Sequence, residues 1–274
     1  MKICVISDLH IDSNRWDWHL LDPVKEADVL VVAGDISNDI WVNCNWLKNA
    51  RSMFNQVIYV AGNHDFYNLG FQQTRLYDPN QEHLWPYPSN VPEIIHHYDR
   101  WCSQEGIHFL HRQSVTIDSV TFIGATGWHD YTAGTPYTQE MQIQAWYDCL
   151  NDTVIKRGEN PTPNHLNPFD AGQKDVQSIM SNLEYAEDCS VVITHHVPHK
   201  DLCWQKPHDR YWTLLHGSFA NRSMEKIKNS KIKYWIYGHT HNRSMKDING
   251  ITYVCNARGY PNENRDWQPV LLHL

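Results

Sequence analysis

The chain has 274 residues, 41% hydrophobic and 20% charged, enough for one large α/β domain or two small ones with the balance of an ordinary globular protein. Its formal net charge of −8 excludes broad electrostatic attraction to extended nucleic acid or an anionic membrane, and its apolar runs fall well short of the ~20 residues of a membrane span. Seven scattered cysteines with no C-x-x-C pair point to reduced thiols and a cytoplasmic setting rather than a disulfide framework or a cysteine zinc site. The opening MKICVISDLH also lacks the layout of a secretory leader.

In chain order, KICVIS (2–7), DVLVVAG (28–34) and QVIYVAG (56–62) are near-continuous apolar, β-branched runs, the pattern of strands covered on both faces. A helical stretch around 38–53 lies between the second and third, which suggests right-handed βαβ units. Residues 68–90, rich in Pro, Asn, Gln and Tyr, read as an irregular surface excursion. Asn90, Pro92 and Gly106 mark the start and stop of a helix over 91–105. VTI (115–117) and VTFIGA (120–125) flank Asp118-Ser119 as a hairpin. Residues 129–172 read as a polar, aromatic, Pro-rich insertion. A helix is expected over 173–187, with Val176, Ile179, Met180 and Leu183 on one face. SVVIT (190–194) is another buried strand, followed by a Trp/His-rich loop over 197–217 and a helix near 218–229. KYWIYG (233–238) is the next strand, Asn249-Gly250 is a hairpin turn signal, and PVLLHL ends the chain as a strand.

The residues just past these strands carry the chemistry. They are Asp8-Leu9-His10, Gly34-Asp35, Gly62-Asn63-His64-Asp65, His195-His196 and Gly238-His239-Thr240-His241. Sites in α/β sheets form beyond the carboxyl ends of strands, so these stretches can converge on one crevice. Residues i and i+2 of an extended chain point to one side, so the pairs Asp8/His10 and His239/His241 can each present two ligands. Carboxylate, amide oxygen and imidazole together suit Mn²⁺, Fe, Zn²⁺, Co²⁺ or Ni²⁺ better than Ca²⁺. One ion cannot use them all, whereas two ions bridged by a carboxylate can. Taken singly, Asp8 and Asp35 would read as helix caps and the histidines as loop residues. Gly62 and Gly238 read as glycines that let the backbone approach the site.

The ordered set D-x-H, GD, GNHD, THH and GHTH resembles the calcineurin-like metallophosphoesterase superfamily, from the first strand to at least Asn256. The resemblance implies a single domain over 1–274 with insertions near 68–90, 129–172 and 197–217. The implied fold is two mixed β-sheets packed as a sandwich with helices outside, a four-layer α/β/β/α arrangement. It further implies that Asp8, His10, Asp35 and His241 hold one divalent ion and that Asp35, Asn63, His195 and His239 hold a second, manganese being the first choice. His64 would stabilise the transition state or act as general acid, with Asp65 orienting it through a hydrogen bond. His196, Arg258 and Arg243 are candidate substrate contacts, against plain readings as packing or ion-pair residues. Aromatic residues in 128–131 and 203–217, among them Trp204, Tyr211 and Trp212, are candidates for a substrate wall. The expected activity is hydrolysis of a small phosphodiester, nucleotide-like or otherwise. The alternatives are a phosphomonoesterase or protein phosphatase on the same site, or an inactive metal-binding scaffold.

Overall fold

The computed structural model describes residues 1–67, 88, 90–134, 136–155, 166–203 and 210–274, with the side chains of 210–212 excepted. Most of the expected excursion over 68–90, together with the Trp204 position and the side chains of Tyr211 and Trp212, lies outside the described residues.

Among the described residues, eleven strands form two sheets. In the first, β1 (Lys2–Ile6), β2 (Val29–Ala33), β3 (Gln56–Val60) and the short β4 (His108–Phe109) run parallel, and β11 (Val270–His273) closes the edge antiparallel to β1. The second has the order β5 (Gln113–Ile117), β6 (Val120–Gly124), β7 (Cys189–Ile193), β8 (Ile232–Tyr237), β10 (Ile251–Cys255) and β9 (Ser244–Ile248). It is parallel through β6, β7, β8 and β10 and antiparallel at both edges.

Side-chain alternation along each strand builds the layers. Ile3 and Val5 of β1 join Val29, Val31, Ile58, Phe122, Val191 and Ile236 in the core between the sheets. Cys4 and Ile6 face the other way, into a cluster with α1 (Ile40–Met53) and α2 (Val91–Glu105). On the far side, Val192 and Trp235 pack with Val176, Ile179 and Leu183 of α4 (Pro168–Tyr185). Each fully buried aliphatic side chain contributes roughly 1.5–3 kcal/mol, so the three clusters hold the four layers together.

The helix signals work as local chemistry predicts. Asn90 accepts from the Glu93 amide, and Gly106 ends α2 at φ 68°. Asp118 and Ser119 (φ 46° and 65°), and likewise Asn249 and Gly250, take the left-handed conformations of tight hairpin turns.

Four expectations fail. α4 begins at Pro168, five residues early, because Asn167 caps it by accepting from the Asp170 amide. Met180 is 53% exposed rather than in the core, at the edge of the apolar stripe. The stretch 129–172, expected as a loop insertion, contains α3 (Gln139–Cys149), capped by Thr138 and burying Gln142, Ala145 and Trp146. The expected helix near 218–229 is reduced to 3₁₀ turns over His216–Ser218 and Arg222–Lys226. The buried Asn221 explains this: its Oδ1 accepts from the Ser223 amide and its Nδ2 donates to the Trp128 carbonyl, so the chain is tied into a loop contact. The short helix α5 (Arg210–Leu215) precedes these turns.

The sheets meet at their carboxyl ends, where Ser7 pairs with Ala257. Asp175 of α4 is fully buried. It takes an ion pair from Arg112 and accepts the Gly127 and Trp128 amides, which fixes the loop after β6 against the same end.

Candidate metal centre

Asp8, His10, Asp35, His239 and His241 all have left-handed backbone, with φ between 41° and 72°. The i, i+2 pairs are therefore delivered by turns past the strand ends, not by strand pleating. Such residues are uncommon and cost about 1–3 kcal/mol each, a cost sustained only where surrounding structure holds them in place. The surroundings are tight. A Cβ on Gly62 would meet the Asp35 carboxylate and the His195 ring, and one on Gly238 would meet Asp8 Oδ2 at 2.5 Å. Both glycines are thus required by close approach.

The candidate ligands fall into two adjoining groups, Asp8/His10/His241 and Asp35/His195/His239. In the first, His10 Nε2 and His241 Nε2 face each other at 3.0 Å, and Asp8 Oδ1 is 3.5 Å from His241 Nε2. In the second, Asn63 Oδ1 lies 3.0 Å from His195 Nε2 and 3.1 Å from His239 Nδ1. Asp35 Oδ2 stands between the groups, 3.2 Å from His195 Nε2 and 3.9 Å from His10 Nε2.

Hydrogen bonds behind these atoms decide which way each faces. His195 Nδ1 donates to the Ala33 carbonyl and His241 Nδ1 to Glu263 Oε2, at 2.9 and 2.6 Å. In the neutral ring, the form that binds a cation, both Nε2 atoms therefore present lone pairs. The Asn63 amide donates through Nδ2 to Asp152 Oδ1 and to the Tyr67 hydroxyl, which turns its Oδ1 toward His195 and His239. Acceptor thus faces acceptor, and Asp8 Oδ2 is buried without a partner. This donor set fits a cation: a proton satisfies one such contact and leaves the others unmet.

Charges follow the same logic. Burial works against a charge on His195, but the Asp35 and Asp8 carboxylates push it up to about 10. Burial would raise Asp35, yet His195 and His64 hold it well below the usual carboxylate range. Burial, only partly opposed by Asp35, pulls His10 down to about 3. His241 is raised by its bond to Glu263 and by Asp8, against burial.

His64 is oriented differently from expectation. Its Nδ1 pairs with Asn38 Oδ1 at 2.7 Å, and Asn38 Nδ2 donates in turn to Asp12. Its Nε2 is 3.2 Å from the Tyr260 hydroxyl. Asp65 does not reach the ring. It accepts the backbone amides of Asp35, Ile36 and Gly62 and the Asn43 side chain, and so anchors the loops that carry the ligands. Burial, reinforced by Asp35, raises it to about 7.

A cleft of about 290 Å³ opens over the two groups, lined in part by His64, Tyr67, Leu150, Asp152, Phe219 and Tyr260. Among the described residues no Lys or Arg lines it. The three suggested substrate contacts are elsewhere. His196 is fully buried behind the ligands, its ring against His239 and Trp128. Arg258 donates to the Arg15 carbonyl and lies over Trp16. Arg243 pairs with Asp266. Trp128 and His129 are buried packing neighbours rather than wall, whereas His216 and Phe219 do line the cleft. Asp152, Glu263, Asn38 and Tyr260 had no signal in the sequence. They act on the ligands or His64 from distant positions, with no motif of their own.

A sequence profile of the calcineurin-like phosphoesterases matches residues 1–243. The chain belongs to this family of metal-dependent phosphoric ester hydrolases. It is 24% identical, over 96% of its length and 93% of the relative's, to the uncharacterized protein L509 of Acanthamoeba polyphaga mimivirus. It is also 24% identical to the UPF0046 protein K07C11.7 of Caenorhabditis elegans, over 71% of this chain and 63% of that one. Among solved structures it shares its fold with phosphopantetheinyl hydrolase from Mycobacterium tuberculosis, at TM-score 0.70 and 17% identity over 98% and 95% of the two chains. A putative 5′-nucleotidase from Staphylococcus aureus aligns at TM-score 0.52 and 14% identity, over 94% of this chain and 49% of that one.

Proposed function

We propose that this single-domain protein is a dinuclear phosphodiesterase acting on a small, singly charged phosphodiester, nucleotide-like or otherwise. The observation that carries the reading is the cleft itself. Two groups of acceptor atoms form its floor, while its described wall combines the rings of Tyr67, Phe219 and Tyr260 with the carboxylates of Asp152 and Glu263 and holds no Lys or Arg. A phosphomonoester brings a second negative charge that such a wall does not answer, whereas a diester brings a second organic substituent that it can cover.

Asp8, His10, Asp35 and His241 would hold one ion and Asp35, Asn63, His195 and His239 the other, with manganese first among Fe, Zn, Co and Ni. When bound, the ions supply Lewis-acid charge on the phosphoryl oxygens and make water a nucleophile at neutral pH. The chain's own part is positional. Glu263, the Ala33 carbonyl and Asp152 hold the ligating atoms in orientation. His64, held at Nδ1 by Asn38, keeps Nε2 at the cleft, where its imidazolium form can give a proton to the leaving oxygen and return to the neutral ring. Tyr67, Phe219 and Tyr260 exclude water from the organic part of the substrate. No helix among the described residues is long and apolar enough to cross a membrane. The uncrosslinked cysteines fit a reducing, cytoplasmic compartment.

The test is hydrolysis of bis-(p-nitrophenyl) phosphate beside p-nitrophenyl phosphate after Mn²⁺ reconstitution, with Asp35→Asn and His64→Ala as controls. Preference for the diester, lost in both variants, is the expected result. Preference for the monoester would replace the reading with a phosphatase, and failure of either substrate to turn over in metal-loaded protein would favour a scaffold.

A further inference from the structure

Beside the two ligand groups lies a third cluster, buried and built from the loop after β6, the 3₁₀ turn after α3 and the residue following His195. One ring nitrogen of His129, one of His196 and one carboxylate oxygen of Asp152 lie within 4.8 Å of one another. His129 Nε2 is 4.0 Å from Asp152 Oδ2. All three residues are at most 1% exposed.

The cluster's hydrogen bonding is incomplete in a particular way. Both ring nitrogens of His129 and both of His196 are buried without a partner, and among the described residues no other histidine has both in that state. A buried polar group with no partner costs roughly 1–3 kcal/mol, so four in one buried cluster call for something to meet them. The groups next to His129 in the chain are met. Asp130 accepts from Thr132 and Ser223, and Asp175 accepts the Gly127 and Trp128 amides. The polar groups immediately beside His129 are therefore met, whereas both His129 nitrogens and, three residues earlier, the Thr126 hydroxyl are not.

We propose that His129, His196 and Asp152 bind a third divalent transition ion, zinc in the first instance, distinct from the dinuclear pair. Two imidazoles and one carboxylate are a donor set that zinc takes with a fourth position open. Ligands about 2.1 Å from a tetrahedral zinc stand roughly 3.4 Å apart, so His129 and Asp152 need to close by only a few tenths of an ångström each. The other Asp152 oxygen, Oδ1, accepts from Asn63 Nδ2 and the Tyr67 hydroxyl at 2.9 and 2.6 Å. That same carboxylate borders the cleft. The third ion would thus be structural and would stiffen the group that orients Asn63.

Metal content of the purified full chain, measured by plasma mass spectrometry after Zn²⁺ loading and dialysis, tests this without reference to turnover. Three equivalents are expected in the natural protein and two in His129→Phe, which keeps the ring and removes both nitrogens. Should His129→Phe misfold, His129→Gln serves, and anomalous scattering at the zinc edge from crystals of the natural protein places each ion directly. A density peak among His129, His196 and Asp152 is the expected result. Two equivalents in the natural protein, three in a folded variant, or water alone at the cluster would each overturn the third site. They would leave the dinuclear reading standing, because that reading fails separately, by loss of the peaks at Asp35.

Discussion

Inside the sandwich, Val5, Val31 and Ile236 sit in fully paired strands with no exposed surface. Three or four residues further along the same chain segments, Asp8, Asp35 and His239 hold left-handed backbone, with Asp8 Oδ1 accepting the His239 amide and Asp35 Oδ2 3.2 Å from His195 Nε2. The interior is where the chain obeys every local preference, and the rim is where it violates several at once. The contrast teaches that the rigid layers exist to hold the rim: strain and like-facing acceptors persist only because the paired strands behind them cannot relax.

Substitutions at the two places should therefore separate chemistry from stability. Asp35→Asn removes the carboxylate that faces both ligand groups. It should lower kcat/KM for bis-(p-nitrophenyl) phosphate by roughly 10³-fold or more while the protein stays folded. A loss of less than tenfold by steady-state assay would break the comparison. Ile236→Ala should do the reverse, costing about 2–5 kcal/mol in a denaturant titration through the cavity it opens, with the rate per folded molecule unchanged. The next effect in size belongs to residues behind the ligands. Asp152→Asn, and to a lesser degree Glu263→Gln, should cost about 10–100-fold in metal affinity or turnover, read by titration with Mn²⁺.

The last effect is a pH dependence of stability in chelator-treated protein. Burial pulls both His10 and His129 down from 6.5 to about 3. Such groups are neutral in the fold and gain a proton when unfolded, so their contribution is present above about pH 6.5 and is lost as pH falls toward about 3. Chemical denaturation followed from pH 7 to 4 should show stability falling with acid. His129→Phe should make that slope shallower. An unchanged slope would mean that His129 is not held neutral by burial.

How much of this was legible in advance differs between elements. The parallel strands were plain because burial on both faces leaves a continuous apolar run, as in VLVVA of β2. The α2 boundaries were plain because Asn90 and Gly106 act on their immediate neighbours. α3 was hidden because it buries Gln142 rather than a full apolar stripe. That side chain's partners are Gly134 and Tyr137. The shortened helix after residue 218 was hidden because Asn221 is bonded to Trp128, 93 positions away.

The candidate site divides in the same way. The strand-end residues Asp8, His10, Asp35, Asn63, His64, His195, His239 and His241 could be named from order and residue type, since each follows an apolar run that predicts its own strand. The sequence by itself thus determined the candidate donors, the strands that carry them and the order in which they come. Only the tertiary structure decided which atoms face one another, that His64 rests on Asn38 rather than Asp65, and that Arg243, Arg258 and His196 lie away from the cleft. It alone brought Asp152 to Asn63 and Glu263 to His241. The physical reason is range. Propensity, capping and burial pattern act within a few residues of chain, whereas the orientation of a buried polar atom is set by whichever partner packing brings to it.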